Sequence, residues 1–191
     1  MSSVLRFDEW QDSEGNPVLN GTGLSVPSSA LPAGSILQVV STAKTDVFST
    51  TSGTFGVVTG LEVSITPSST SSKILILAQI AHSFGSSGST VANDYGHYKV
   101  TRGGTDIYRG NPDSSRIQAV FGGNNEVAQT LNSSFISFLD SPETTANTTY
   151  RVEARRGRSG STAFVNRSFG DADFEFVTRG ASSITVMEVA G

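Results

Sequence analysis

Three consecutive stretches of the chain, Leu61-Glu62-Val63-Ser64-Ile65-Thr66, Pro67-Ser68-Ser69-Thr70-Ser71-Ser72 and Lys73-Ile74-Leu75-Ile76-Leu77-Ala78-Gln79-Ile80-Ala81-His82, differ sharply in pattern. The first alternates apolar and polar with a period of two, as a strand with one buried and one wet face does. The second consists of turn formers. The third is apolar on both sides, which predicts a central strand covered on both faces. Toward the N-terminus, Ile36–Ser41 and Thr54–Val58 read as strands, the latter closed by Thr59-Gly60. On the other side, Tyr98–Arg102 and Thr105–Arg109 flank Gly103-Gly104 and predict a hairpin. A short strand is expected around Ile117–Phe121, before a Gly122-Gly123-Asn124-Asn125 tip. Ser134–Leu139 follows, ended by Asp140-Ser141-Pro142, and then Thr149–Arg155, Thr162–Asn166 and Ser183–Val189. About ten short strands at such spacing predict an all-β fold, an antiparallel β-sandwich or jelly roll. No helix longer than a turn or two is expected.

Composition agrees and narrows the classes of function. Of 191 residues, 16% are charged, 50 are Ser or Thr, 20 are Gly and 11 are Phe. An average soluble protein carries about 25% charged residues, and a helical bundle needs far more Ala, Leu, Glu and Lys. Cysteine is absent, which excludes disulfide frameworks, thiolate zinc sites and cysteine nucleophiles. A net charge of −4 and a pI near 5.1 argue against a nucleic-acid groove. Met1–Trp10 lacks a basic segment followed by an apolar run and is not expected to be a signal peptide. The longest apolar stretch, Ile74–Ala78, is far too short to span a bilayer. The expected product is soluble, made in a cytoplasm, without a membrane span.

Residues 1–35 read as a separate arm and residues 36–191 as the β domain. The arm opens with Phe7-Asp8-Glu9-Trp10-Gln11, passes through the turn formers Asp12–Pro17, and sustains no period of either kind. Such a segment cannot bury enough apolar area to fold alone. Trp10, the sole tryptophan, and Phe7 therefore either fold back onto their own domain or insert into another protein as aromatic anchors.

Candidate chemistry is sparse. His82 and His97 flank a Gly/Ser-rich loop and, with Asp94, would make a minimal metal site, but no His-x-His or His-Glu-x-x-His spacing supports one. Strand-end histidines are the expectation. Asp171, Asp173 and Glu175 read as a solvated turn leading into a strand rather than a glycosidase pair or a calcium loop. No catalytic site, metal or cofactor is expected. One charged constellation stands out: Arg151, Arg155, Arg156 and Arg158, with Glu153 among them. With Val152 and Ala154 inward, Arg151, Glu153 and Arg155 share the outward face of a strand. That face is either solvated, with Arg/Glu cross-strand pairs, or a contact for an anion or a subunit.

Several runs resemble a known group of proteins: Thr59–Ile76, Phe138–Pro142 leading to Thr149-Tyr150-Arg151-Val152, Val165-Asn166-Arg167-Ser168, and Ser183–Glu188. Together they resemble the fibre, knob and tail-associated structural proteins of tailed bacteriophages, marine cyanophages especially, over residues 33–191. Phe7–Val18 is similar to the short N-terminal pieces such proteins carry. The resemblance implies a virion component, made in the host cytoplasm, commonly a homotrimer with a β-sandwich head, and it carries no catalytic residues. It implies that residues 1–35, through Phe7 and Trp10, join capsid or tail proteins. The alternative is a carbohydrate-recognising receptor-binding tip, with Phe84–Tyr95 and Gly110–Asn125 as loops for a host surface glycan.

Overall fold

The computed structural model describes residues 31–85, 94–125 and 127–191 throughout, and of residues 1–30 only the backbone of three short strands. These are β1 (Glu9–Gln11), β2 (Pro17–Asn20) and β3 (Gly23–Leu24), an antiparallel sheet in which Trp10 lies opposite Leu19 and Leu19 opposite Leu24. Strands of two to four residues are too short to register as a period in the sequence.

Eleven further strands follow: β4 (Ile36–Lys44), β5 (Phe48–Thr50), β6 (Gly56–Ile65), β7 (Lys73–Gly85), β8 (Tyr95–Arg102), β9 (Thr105–Tyr108), β10 (Phe121–Asn124), β11 (Asn132–Asp140), β12 (Thr148–Arg156), β13 (Thr162–Val165) and β14 (Ser182–Val189). Among the described residues there is no helix. One sheet runs β4-β14-β7, with β11 along the other side of β7 and β13-β5 extending beyond β14 at the far end of β7. The second runs β6-β12-β8, and β8 is flanked further by β10 on its first half and β9 on its second. All pairings are antiparallel. With β9 and β10 sharing one place and β5 and β13 set aside, eight strands remain. The first sheet takes the first, eighth, third and sixth of them, and the second takes the second, seventh, fourth and fifth. This interleaving is the jelly roll.

The period of two explains the core. Inward residues of β7 (Ile74, Ile76, Ala78, Ile80) and β14 (Ile184, Val186) face Val63 and Ile65 of β6, Tyr150 and Val152 of β12, and Tyr98 and Val100 of β8, all buried. Two polar clusters close its ends. Asp140 accepts from Tyr150 Oη at 2.8 Å and from Arg102 Nη1 at 2.7 Å. Glu188 is fully buried and accepts from Gln38, the Ser68 backbone and hydroxyl, and Ser72, at 2.6–2.7 Å. Burial alone would raise the Glu188 carboxyl, but these hydrogen bonds outweigh it and hold the pKa below the ordinary value.

The predicted hairpin is β8–β9, with Gly103 and Gly104 both at positive φ, +55° and +86°, as a type I′ turn requires. Elsewhere the structure corrects the expectations. Thr59-Gly60 does not end a strand: β6 runs through it, with Gly60 at φ +84° and a register shift against β12 between Arg151 and Glu153, a bulge rather than a break. The strand expected around Ile117–Phe121 is instead β10, so the supposed tip is itself a strand. Glycine is needed there because a Cβ on Gly122 would stand 2.3 Å from His97 Nδ1 across the pair. The strand expected at Lys73–His82 is central, but it is covered on one face only. Leu75 is partly exposed on the other, and Leu77 is exposed.

Candidate functional site

The outer face of the β4-β14-β7-β11 sheet is apolar. Val39, Met187, Leu75 and Leu139 stand side by side in register across all four strands, and Val39 and Leu139 are 54% and 50% exposed. The next two outward rows contain Leu77 and Phe135, the latter 76% exposed. Of the twelve outward positions in these three rows, none is charged. Between Leu77, Phe135, Ile136 and Thr185 the face dips into a shallow depression of about 320 Å³.

The outer face of the second sheet is the opposite. Lys99 Nζ lies 2.5 Å from Asp106 and 3.3 Å from Glu153, and Glu153 also accepts from Thr101 Oγ1 at 3.1 Å. Arg109 joins Asp106 at 2.6 Å. The Phe55 ring lies beneath two cations, Lys99 Nζ at 4.6 Å and the Arg155 guanidinium at 5.7 Å from its centroid. Arg151, Glu153 and Arg155 do share this face. Arg151 is set apart from the other arginines, its Nε 3.2 Å from Glu62 Oε2 without the alignment of a hydrogen bond. Arg155, Arg156 and Arg158 gather at the end of β12 around a dip of about 150 Å³ that also includes Gly53 and Gly157. Two of these guanidiniums are turned inward: Arg155 Nε donates to the Arg156 carbonyl and Arg156 Nη1 to the Arg158 carbonyl.

His82 is no strand-end histidine. It points between the sheets, with ring centroids of Phe84, Tyr98 and Phe121 at 5.1, 5.5 and 5.2 Å. Nε2 pairs with Ser134 Oγ at 2.9 Å, whereas buried Nδ1 has no partner. Burial lowers its pKa to about 4. His97 lies across from Gly122 on one side and Arg155 on the other, and burial followed by the Arg155 charge lowers its pKa too. Among the described residues, no three of His, Cys, Asp and Glu come together as metal ligands would. Asp171 is not the solvated residue expected, because Arg179 and Arg167 hold it at 2.7 and 3.3 Å.

No family model matches the chain, and no curated protein matches it. Among solved structures, it is similar to that of infectious bursal virus-derived T=1 particles, with 14% identity over 81% of this chain and a TM-score of 0.38. The match covers 36% of that chain, so the present chain spans about a third of its length.

Phe7 lies outside the described residues, and of Trp10 only the backbone pairing is described. Of the two loops considered for a glycan, residues 86–93 lie outside the described residues. Asn124, Asn125, Thr130 and Asn132 line a dip of about 300 Å³ at the end of the other. The Asn125 amide is already engaged there, accepting from the Phe84 N–H and donating to the Thr130 carbonyl. Sequence inspection missed the apolar row and a second feature, Phe174 and Phe176. These rings are 56% and 66% exposed and stack on each other at 5.1 Å with an interplanar angle of 11°. Two aromatics at i and i+2 between acids were the available signal.

Proposed function

We propose that this chain is a structural protein of a bacteriophage virion, a homotrimeric fibre- or knob-type subunit held to the capsid or tail through residues 1–35. The observation that carries this reading is the contrast between the outer faces of the jelly roll. A sheet face with twelve consecutive uncharged outward positions and an apolar row across four strands calls for protein cover, whereas the opposite face is dressed for water. Closed symmetric association supplies such cover. The resemblance of Thr59–Ile76, Phe138–Val152 and Ser183–Glu188 to phage fibre and knob proteins gives the assembly its setting.

Electron microscopy of phage particles labelled on this protein tests the reading, with label expected at discrete positions on the capsid or tail. Particles that contain none of the protein overturn it. Deleting residues 1–20 should leave a β-rich assembly that no longer joins particles, and Trp10→Ala should weaken attachment, since a lost aromatic anchor costs about 2 kcal/mol or more. A truncated protein that unfolds would place those residues in the core instead.

A further inference from the structure

We infer that the apolar face of the β4-β14-β7-β11 sheet is the subunit contact of the homotrimer, and that it receives the stacked Phe174–Phe176 pair of the neighbouring copy. The inference rests on the homotrimer reading above and assigns its interface.

The occupant follows from charge, area and symmetry. The face has no charge to offer an acidic or basic partner across three rows, whereas an uncharged surface of the same protein meets it without repulsion. Four strands about 4.8 Å apart, over eight residues of about 3.3 Å each, make a face of about 500 Å². Covered by an equal area of the neighbour, it buries about 1,000 Å² at each contact, the floor for a specific interface. Each subunit of a ring makes two such contacts. A ring also joins unlike surfaces, so each copy must carry a second apolar surface to cover its neighbour's face.

Phe174 and Phe176 are that surface. Their loop is braced at its base: Asp171 bridges Arg167 and Arg179, Gly170 N–H donates to the Ala128 carbonyl at 2.7 Å, and Val177 N–H to the Phe174 carbonyl at 3.0 Å. The rings are therefore presented with little further ordering, which lowers the cost of docking. The depression beside Leu77 and Phe135 is where an aromatic side chain has room to seat.

Sedimentation of the full chain tests the inference, with circular dichroism as the check on folding. Wild type should run at about three times its 20.0 kDa mass, and should hold together in about 1 M NaCl, where exposed charge pairs are screened. Leu77→Asp with Phe135→Asp, and separately Phe174→Ser with Phe176→Ser, should give folded monomers. Should the aspartates prevent folding, Leu77→Ser with Phe135→Ser replaces them. Glu62→Ser on the charged face should leave the trimer intact. A folded trimer in either the face or the ring variant overturns the inference and leaves the homotrimer standing. A monomeric wild type overturns the homotrimer itself, and the face then falls to another protein of the particle.

Discussion

Leu77 on β7 and Glu153 on β12 occupy equivalent places, each pointing away from the core on an inner strand of its sheet. Around Leu77 the neighbours in the row are Thr185 and Ser137; around Glu153 they are Lys99 and Val57. Both sheets meet the same inward demand, alternate apolar residues against a shared core, and that demand leaves the outward positions free. One sheet spends this freedom on cross-strand ion pairs. The other forgoes charge altogether, at the risk of exposing apolar surface unless something covers it. The difference separates what folding requires from what assembly requires, and it is drawn strand by strand on a single chain.

The two sides of β7 offer the largest test of this contrast. Ile76→Ala, on the inward side, should cost about 2–5 kcal/mol, the usual penalty of a core cavity. Leu77→Ala, one residue on, should cost under about 1 kcal/mol in urea unfolding at a concentration that dissociates the assembly. Equal losses would show that the outer face is covered within one chain. A smaller effect concerns His82, which lies between the sheets and belongs to neither outer face. With a folded-state pKa of about 4 against 6.5 for the free side chain, the unfolded chain takes up the proton first as pH falls. Stability should thus be lost progressively from pH about 6.5 down to about 4, by about 3 kcal/mol in all. Glu188, held low by its hydrogen bonds, contributes a loss only below the ordinary carboxylate range. His82→Gln should flatten the upper window in melts at a series of pH values, and an unchanged slope would show the ring open to water. The smallest effect belongs to the charged face. A double-mutant cycle on Arg151 and Glu62, whose side chains are 36% and 50% exposed, should give a coupling below about 0.5 kcal/mol. A coupling above about 1 kcal/mol would mean that this face, too, is covered in the assembly.

The inward side of each strand was legible because alternation is a local property. Leu61–Thr66 and Thr149–Arg155 announce their buried and wet faces by type alone, and the shared face of Arg151, Glu153 and Arg155 followed from that period. Lys73–His82 announced a central strand, but Ile74 and Ile76 do not differ in kind from Leu75 and Leu77. Which side meets the second sheet is decided by topology, through partners more than 60 residues away such as Tyr150 and Val186. Gly122–Asn125 was read as a tip because strand signals depend on bulky side chains, whereas here the pairing beside His97 depends on having none. Glu188 broke the apolar alternation of β14. Its reason lies in the Ser68–Ser72 turn, 116 to 120 residues distant, and is invisible to any local pattern. The aromatic setting of His82 is equally non-local, since Tyr98 and Phe121 come from the opposite sheet.

The place of β14 has a consequence for synthesis on the ribosome. It is the last strand of the sandwich in chain order, yet it sits between β4 and β7, pairing with both. Until it emerges, β4 and the first half of β7 each present a bare edge, and the core between them lacks Ile184 and Val186. The nascent chain therefore cannot complete its first sheet by stages. It must wait, with the adhesive edges of two apolar strands unprotected, for a segment translated more than 90 residues after β7 to slide into the gap. In a host cell crowded with nascent copies of the same chain, the interval before β14 arrives is when the wrong edge-to-edge pairing competes with the right one.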